Sequence, residues 1–257
     1  MYGILFSIGL VLSAFVAQKL AKKQSLKTEV LLDLIFYSVI GGVIGARIFH
    51  VIDYWELYSK NPVQILEIYK GGLGIFGGLL GGGVAFYLFL RIKQIPVTEM
   101  LKFLDVFAVC IPLAQSIGRW GNYFNHELFG GPSSLPIAIY IPFEFRPKNL
   151  KSFETFHPLF LYESVLNLVL FAALYYLSTK AKKSSNKALK MFDGDIFLLY
   201  LLGYGLTRLV LEPLRIRHFY VQNINAVTVI ALLLILFSTA LFILRRKNGN
   251  SKRAQRS

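Results

Sequence analysis

The chain alternates long apolar runs with short polar connections, and few of those runs carry more than a charge or two. A bilayer core about 30 Å thick takes about 20 apolar residues in helical form to cross. Seven runs come within a few residues of that length: 3–20, 31–53, 72–91, 103–119, 158–178, 193–212 and 224–244. The fourth is short and is interrupted by Pro112, Gln115 and Gly118. Irregular backbone at membrane depth is tolerated only where protein or a wet cavity covers it. Asp105, at the start of that run, is placed to cap the N-terminus of its helix. The pattern predicts an all-α polytopic membrane protein with about seven transmembrane helices.

Two stretches depart from this simple alternation. Residues 120–157 form the longest non-apolar segment and mix Pro, Asn, Glu and Arg with aromatics. Aromatics are depleted in disordered chain, and the alternating IAIYI within the segment predicts a small ordered head region with some extended structure. The second stretch is GGLGIFGGLLGGG, 71–83, echoed on a smaller scale by GGVIGAR, 41–47. Glycines four apart let the backbones of two membrane helices touch. Gly71 and Gly72, at the mouth of the third run, also leave room for the polar head of a ligand.

Composition agrees with the pattern, since 16% of residues are charged against about 25% in soluble domains. A net charge of +14 raises the question of nucleic acid. The placement of the basic residues answers it. Eighteen of the 28 fall in the alternate connections 19–29, 91–102 and 179–192 and in the C-terminal tail, with no basic surface of interleaved aromatics. The positive-inside rule puts those segments in the cytoplasm, with the N-terminus outside and the C-terminus inside. The first positive charge, Lys19, follows the first apolar run, which predicts a retained span rather than a cleaved secretory signal. The basic tail 246–257 is expected to be disordered. Cys110 stands alone, so neither an intrachain disulfide nor a multi-cysteine metal site is available. His50, His126, His157 and His218 lack metal-ligand spacing and no nucleotide or calcium signature occurs, so neither metal nor cofactor is expected.

Charges inside spans are costly and mark a partner or a role. Here they are Asp33, Arg47, Asp105, Arg119, Glu163, Arg208 and Glu212. Asp33 and Glu163 lie near span ends, where an interfacial position explains them as well as function does. Arg208 and Glu212 are four apart and share a helix face, with Tyr204 one turn back on the same face. A structural ion pair explains the first two, and Arg119, at the outer end of the fourth run, has reach enough to snorkel to a lipid phosphate. Two arginines on one side of the membrane also make a bidentate clamp for a phosphodiester, one that stabilises charge building on a departing phosphate.

The segment GRWGNYFNHELFG, Gly118 to Gly130, closely resembles the signature of the prolipoprotein diacylglyceryl transferase family, G-R-x-G-N-[FY]-x-N-x-E-x-x-G. Every fixed position is met, by Gly118, Arg119, Gly121, Asn122, Tyr123, Asn125, Glu127 and Gly130. Tyr2-Gly3, GARIFHVI with Arg47, the Gly-rich third run, Asp105, HPLFLYES and YGLTRLVLEPLR occur in the family's order, so the resemblance extends from Tyr2 to about Leu244. It implies an enzyme that moves the diacylglyceryl group of phosphatidylglycerol onto the lipobox cysteine thiol of a prolipoprotein signal peptide, in a bacterial cytoplasmic membrane. A thioether forms and glycerol phosphate leaves. A non-catalytic phospholipid-binding or flippase-type protein would use the same arginines without the chemistry. On the resemblance, residues 1–245 are the transmembrane catalytic domain, with 120–157 as a head insertion on the outer face. Arg119 and Arg208 bind the phosphate and Asn122 orients the headgroup. Glu127, Tyr204 and Glu212 match important positions, as does Tyr2; Asn125, Gly130, Arg47, Gly71 and Gly72 complete the expected substrate-binding set. One position departs: Phe76 stands where many relatives carry a histidine proposed to take the thiol proton. His157 and Glu212 are the candidate substitutes.

Overall fold

The computed structural model describes residues 2–180, 191–216, 220–221 and 224–254. Helices run as α1 (Tyr2–Lys23), α2 (Thr28–Asp53), the short α3 (Trp55–Tyr58), α4 (Ile75–Ile92), α5 (Val97–Phe124), α6 (Leu159–Lys180), α7 (Asp195–Leu211) and α8 (Ala226–Ala254). Two small antiparallel pairs join them, β1 (Ile139–Tyr140) with β2 (Thr155–Phe156), and β3 (Tyr220–Val221) with β4 (Ile224–Asn225). Seven helices are long and apolar enough to cross a membrane. The chain is a multi-pass membrane protein, and each long helix overlaps one of the predicted runs.

Three expectations need correction. The fourth run, read as short and broken, lies in a continuous helix of 28 residues. Pro112 gives no N–H to the turn before it, but in a membrane interior opening further backbone groups would cost more than that one lost bond. Asp105 therefore sits inside α5, fully buried, and does not cap its own helix. Its carboxylate caps α7 instead, accepting the Gly194 N–H at 2.9 Å and the Phe197 N–H at 3.0 Å. The third run begins as helix only at Ile75, which leaves Gly71 and Gly72 outside it at φ of +93° and +74°, a region that side chains with a β-carbon rarely adopt. The last long helix, α8, runs from Ala226 to Ala254. Most of the basic connection 179–192, His218 and the last three residues lie outside the described residues.

The chain divides into two compact units, Ala21–Phe103 on the one hand and Met1–Leu20 with Leu104–Ser257 on the other. In the first, α2 and α4 pack backbone to backbone. A β-carbon at Gly41 would lie 2.8 Å from the Gly81 carbonyl oxygen, and one at Gly45 would lie 2.8 Å from the Gly81 Cα. The connection between these helices folds around Arg47, which is buried. Its guanidinium donates to the carbonyls of Ile65 and Gly71, each at 2.8 Å, of Gly72 at 2.9 Å, and of Gln64. A β-carbon at Gly72 would come within 2.7 Å of that guanidinium.

In the second unit, α1 meets α5 through the Ser13 hydroxyl, which donates to the Cys110 carbonyl at 3.1 Å. Ser116 of α5 and Ser164 of α6 join by their hydroxyls at 3.0 Å. The segment between α5 and α6 is ordered as the head region. The β1–β2 pair is continued by a bridge from Phe156 to Pro132. Buried Arg146 closes its turn by donating to Ile141 O at 2.7 Å and Lys151 O at 3.1 Å.

A valine at Gly45 should separate α2 from α4 and lower the thermal midpoint of the detergent-solubilised protein, at about 1–3 kcal/mol for overpacking. Gly83→Ala, where a β-carbon has nothing within 4 Å, should leave that midpoint unchanged or raise it.

Candidate active site

The charges of the second unit converge at the C-terminal ends of α5 and α7. Arg119, in the penultimate turn of α5, reaches Glu163 of α6 through Nε at 2.6 Å. Arg208, in the last turn of α7, lies 3.9 Å from the same carboxylate. Its other terminal nitrogen is 3.4 Å from Glu212, which opens the single 3₁₀ turn after α7. Arg215, just beyond that turn, also pairs with Glu163, and its Nε lies 3.8 Å from Glu212. The Asn225 amide of β4 donates to the other Glu212 oxygen at 2.9 Å. Glu163 is thus no interfacial residue: its side chain is 5% exposed and it faces all three guanidiniums.

The local sequence explains the convergence. Arg208 and Glu212 are one turn apart, and Pro213 ends the regular helix so that the chain tightens and returns Arg215 to the same side. Glycine then lets the head segment close over it. The Gly130 N–H donates to His157 O and the Gly131 N–H to Leu214 O, both at 2.9 Å, and Gly130 bridges Arg215. A β-carbon at Gly130 would be 2.7 Å from Leu214 O. Among the described residues the site's three guanidiniums face two carboxylates, leaving one positive charge in excess. Burial pushes the Arg215 guanidinium below its ordinary range; Glu163 opposes that shift, and Arg208 and Arg119 add to it. Its Nε has no hydrogen-bond partner among the described residues. Chemically this is a largely buried, cationic cluster suited to a singly charged oxyanion.

The predicted residues fall into distinct places. Arg119, Asn122, Arg208 and Glu212 come together, Asn122 buried and accepting from Arg119 at 3.4 Å. Tyr204 lies one turn before Arg208 with its ring 6.1 Å from that of Tyr200. The His157 ring bonds the Tyr162 hydroxyl through Nδ1 at 3.3 Å and is tied to the site through its backbone. Asn125 and Glu127 pair with each other at 3.5 Å on the turn after α5. Gly130 serves the close backbone approach just described. Arg47, Gly71 and Gly72 belong to the other unit, where Arg47 organises the connection that carries the two glycines. The Tyr2 side chain lies outside the described residues. Sequence reasoning missed Arg215 and undervalued Glu163. The spacing Arg208, Glu212, Arg215 was the available signal for the first; the charge of Glu163 within an apolar run was the signal for the second.

Fold and site together define a polytopic membrane protein with a buried arginine–glutamate cluster at the C-terminal ends of α5 and α7. Over residues 1–244 the chain matches the family described as prolipoprotein diacylglyceryl transferase, and it belongs to that family. Its relatives include the phosphatidylglycerol–prolipoprotein diacylglyceryl transferase of Trichormus variabilis, 40% identical over 214 residues, 83% of this chain and 74% of that one. The enzyme of the same name from Thermotoga maritima is 37% identical over 253 residues, 98% and 83% of the two chains. That of Staphylococcus aureus is 38% identical over 253 residues, 97% and 86%.

Glu163→Ala should destabilise the fold strongly, because it leaves three converging cations without their common partner. Deleting one member of a buried pair costs about 3–5 kcal/mol, and the part exposure of Arg119 places the loss near the lower figure. Thermal unfolding in detergent reads the effect, and Glu163→Gln should fall between that variant and the wild type.

Proposed function

We propose that the protein transfers the diacylglyceryl group of phosphatidylglycerol to the lipobox cysteine in the signal peptide of a prolipoprotein. The observation that carries this reading is the charge balance of the cluster: among the described residues, three guanidiniums against two carboxylates match one phosphodiester. Family membership supplies the reaction. The cysteine sulfur attacks the glycerol carbon that bears the phosphate, a C–S bond forms, and the C–O bond breaks with its electron pair passing to the phosphate oxygen. Glycerol phosphate leaves with an additional negative charge, and fixed cations beside it stabilise that charge as it develops.

In this reading Arg119 and Arg208 grip the phosphate, Arg215 adds a third guanidinium, and Asn122 orients Arg119 and the headgroup. Glu212 and Tyr204 complete the site. Asn125, Glu127, Gly130 and Tyr2 serve substrate binding, as do Arg47, Gly71 and Gly72 through the shape of their connection. The helices supply an apolar side entrance for two acyl chains, and the head region is the landing place for the extended signal peptide. The protein resides in a bacterial cytoplasmic membrane with its N-terminus outside and its C-terminus in the cytoplasm, following its basic connections.

Phe76 cannot accept a proton, so the thiol ionises by other means. A thiol with a pKa of about 8.5 is already a few per cent thiolate near neutrality, and neighbouring guanidiniums raise that fraction. His157 and Glu212 are the candidate acceptors. Phe76→His should leave turnover unchanged, whereas His157→Ala or Glu212→Gln should lower it by about 10²-fold; harmless changes at both would remove the substitute base.

Mass spectrometry of a lipobox peptide incubated with phosphatidylglycerol and purified protein should show a diacylglyceryl increment on cysteine. Headgroup binding without that product would point to a lipid-binding or flippase-type protein. Arg119→Ala and Arg208→Ala should each reduce transfer by about 10²–10³-fold with membrane insertion intact. Lysine should restore little, because a point charge lacks the planar fork. Near-normal transfer by Arg119→Ala would overturn the assignment.

A further inference from the structure

We infer that Asp105 is a positioning residue for the phosphate site: it holds α7 in one register along α5 and so sets Arg208 opposite Arg119. The inference rests on the reading of Arg208 as a phosphate ligand. Asp105 is completely buried, and its two oxygens take N–H bonds from two separate positions at the start of α7, Gly194 and Phe197. A carboxylate offers an acceptor oxygen to each of the two donors. The positive end of the helix dipole stabilises the charge there. The first turn of α7 already has a carboxylate, Asp195, which accepts the Phe192 N–H at 2.9 Å and faces Arg245 and Arg246 of α8 at 3.7 and 3.4 Å. Asp195 therefore ties α7 to α8, while Asp105 ties it to α5.

Further along, Gln115 of α5 donates to the Tyr200 hydroxyl of α7 at 3.4 Å, and at the far ends Arg119 and Arg208 share Glu163 of α6. At about 1.5 Å per residue the Asp105 cap and the shared carboxylate are separated by about 17–21 Å along the helices. A slip of α7 by one residue would shift Arg208 by about 1.5 Å and turn it by about 100°, taking it off the shared carboxylate. The carboxylate at the helix start prevents that slip because its two bonds go to specific amides.

The test is a double-mutant cycle on phosphatidylglycerol binding by the full chain in detergent. Asp105→Asn, which puts an amide NH₂ against one of the two donors, should weaken binding by about tenfold. In an Arg208→Gln background the same change should weaken the residual binding by less than about twofold, because the group it positions is already gone. Ser13→Ala removes a buried hydrogen bond to α5 away from this cap and should leave binding within about twofold of the wild type. A general loss of stability would instead give the same factor in both backgrounds, and that result, or no weakening at all, overturns the inference. If Asp105→Asn does not accumulate, Asp105→Glu keeps the charge but is longer by one methylene, and it runs the same cycle with the same expected outcomes. Transfer to a lipobox peptide is measured beside it. Coupled binding without transfer would fault the proposed reaction and leave Asp105 in its role; transfer without coupling would do the reverse. Absence of lipid binding by the wild type would remove both.

Discussion

The site depends on one carboxylate shared by several guanidiniums. Glu163 faces Arg119, Arg208 and Arg215 at once, and without an anion between them three cations would not stay within a few ångströms in a region that water barely reaches. Burying an ion costs several kcal/mol even after relaxation, so isolated arginines at such a depth would turn away or snorkel to the surface. The shared carboxylate makes the cationic cluster a stable feature of the fold. Among the described residues it also leaves that cluster one charge short of neutral, the condition under which a phosphodiester binds without a large electrostatic mismatch.

The same carboxylate fastens the elements that carry the site. α5 supplies Arg119, α6 supplies Glu163, α7 supplies Arg208, and the tight turn after Pro213 supplies Arg215. The backbone of the head region then closes over that turn through Gly130 and Gly131. At the other end of α7 two buried aspartates answer the helix dipole and direct it towards two different neighbours. Polar bonds at a few points, including the midway Gln115–Tyr200 bond at 3.4 Å, set within apolar packing suit a membrane protein. Lipid tails compete for apolar contact as well as another helix does, but they offer no hydrogen bonds.

Arginine plays a second part in the other unit. Arg47 carries the same charge as Arg119, yet its donors are taken by four main-chain carbonyls of one connection. A guanidinium used in this way fixes a loop, because its planar fork demands carbonyls in set directions. One facing carboxylates keeps the ability to take a further oxyanion. The difference lies in the neighbours and not in the residue, so a charge inside an apolar run is a sign of importance but does not identify its role.

Much of the architecture was legible along the chain. The seven spans follow from apolar length alone, since the bilayer sets that length and leaves few alternatives. The helix contact at Gly41, Gly45, Gly77 and Gly81 follows from the spacing of residues without side chains. Arg119, Arg208 and Glu212 stood out because charges are rare in such surroundings. Tertiary structure decided what those charges meet. It brought Glu163 and Arg215 to them from elements 52 residues apart, moved Asp105 from the start of a helix to its interior, and turned it towards another helix altogether. No pattern along one segment specifies such pairings, because partners in a buried ion cluster are chosen by proximity in three dimensions, whereas hydrophobic spacing records only which face of each helix is turned inward.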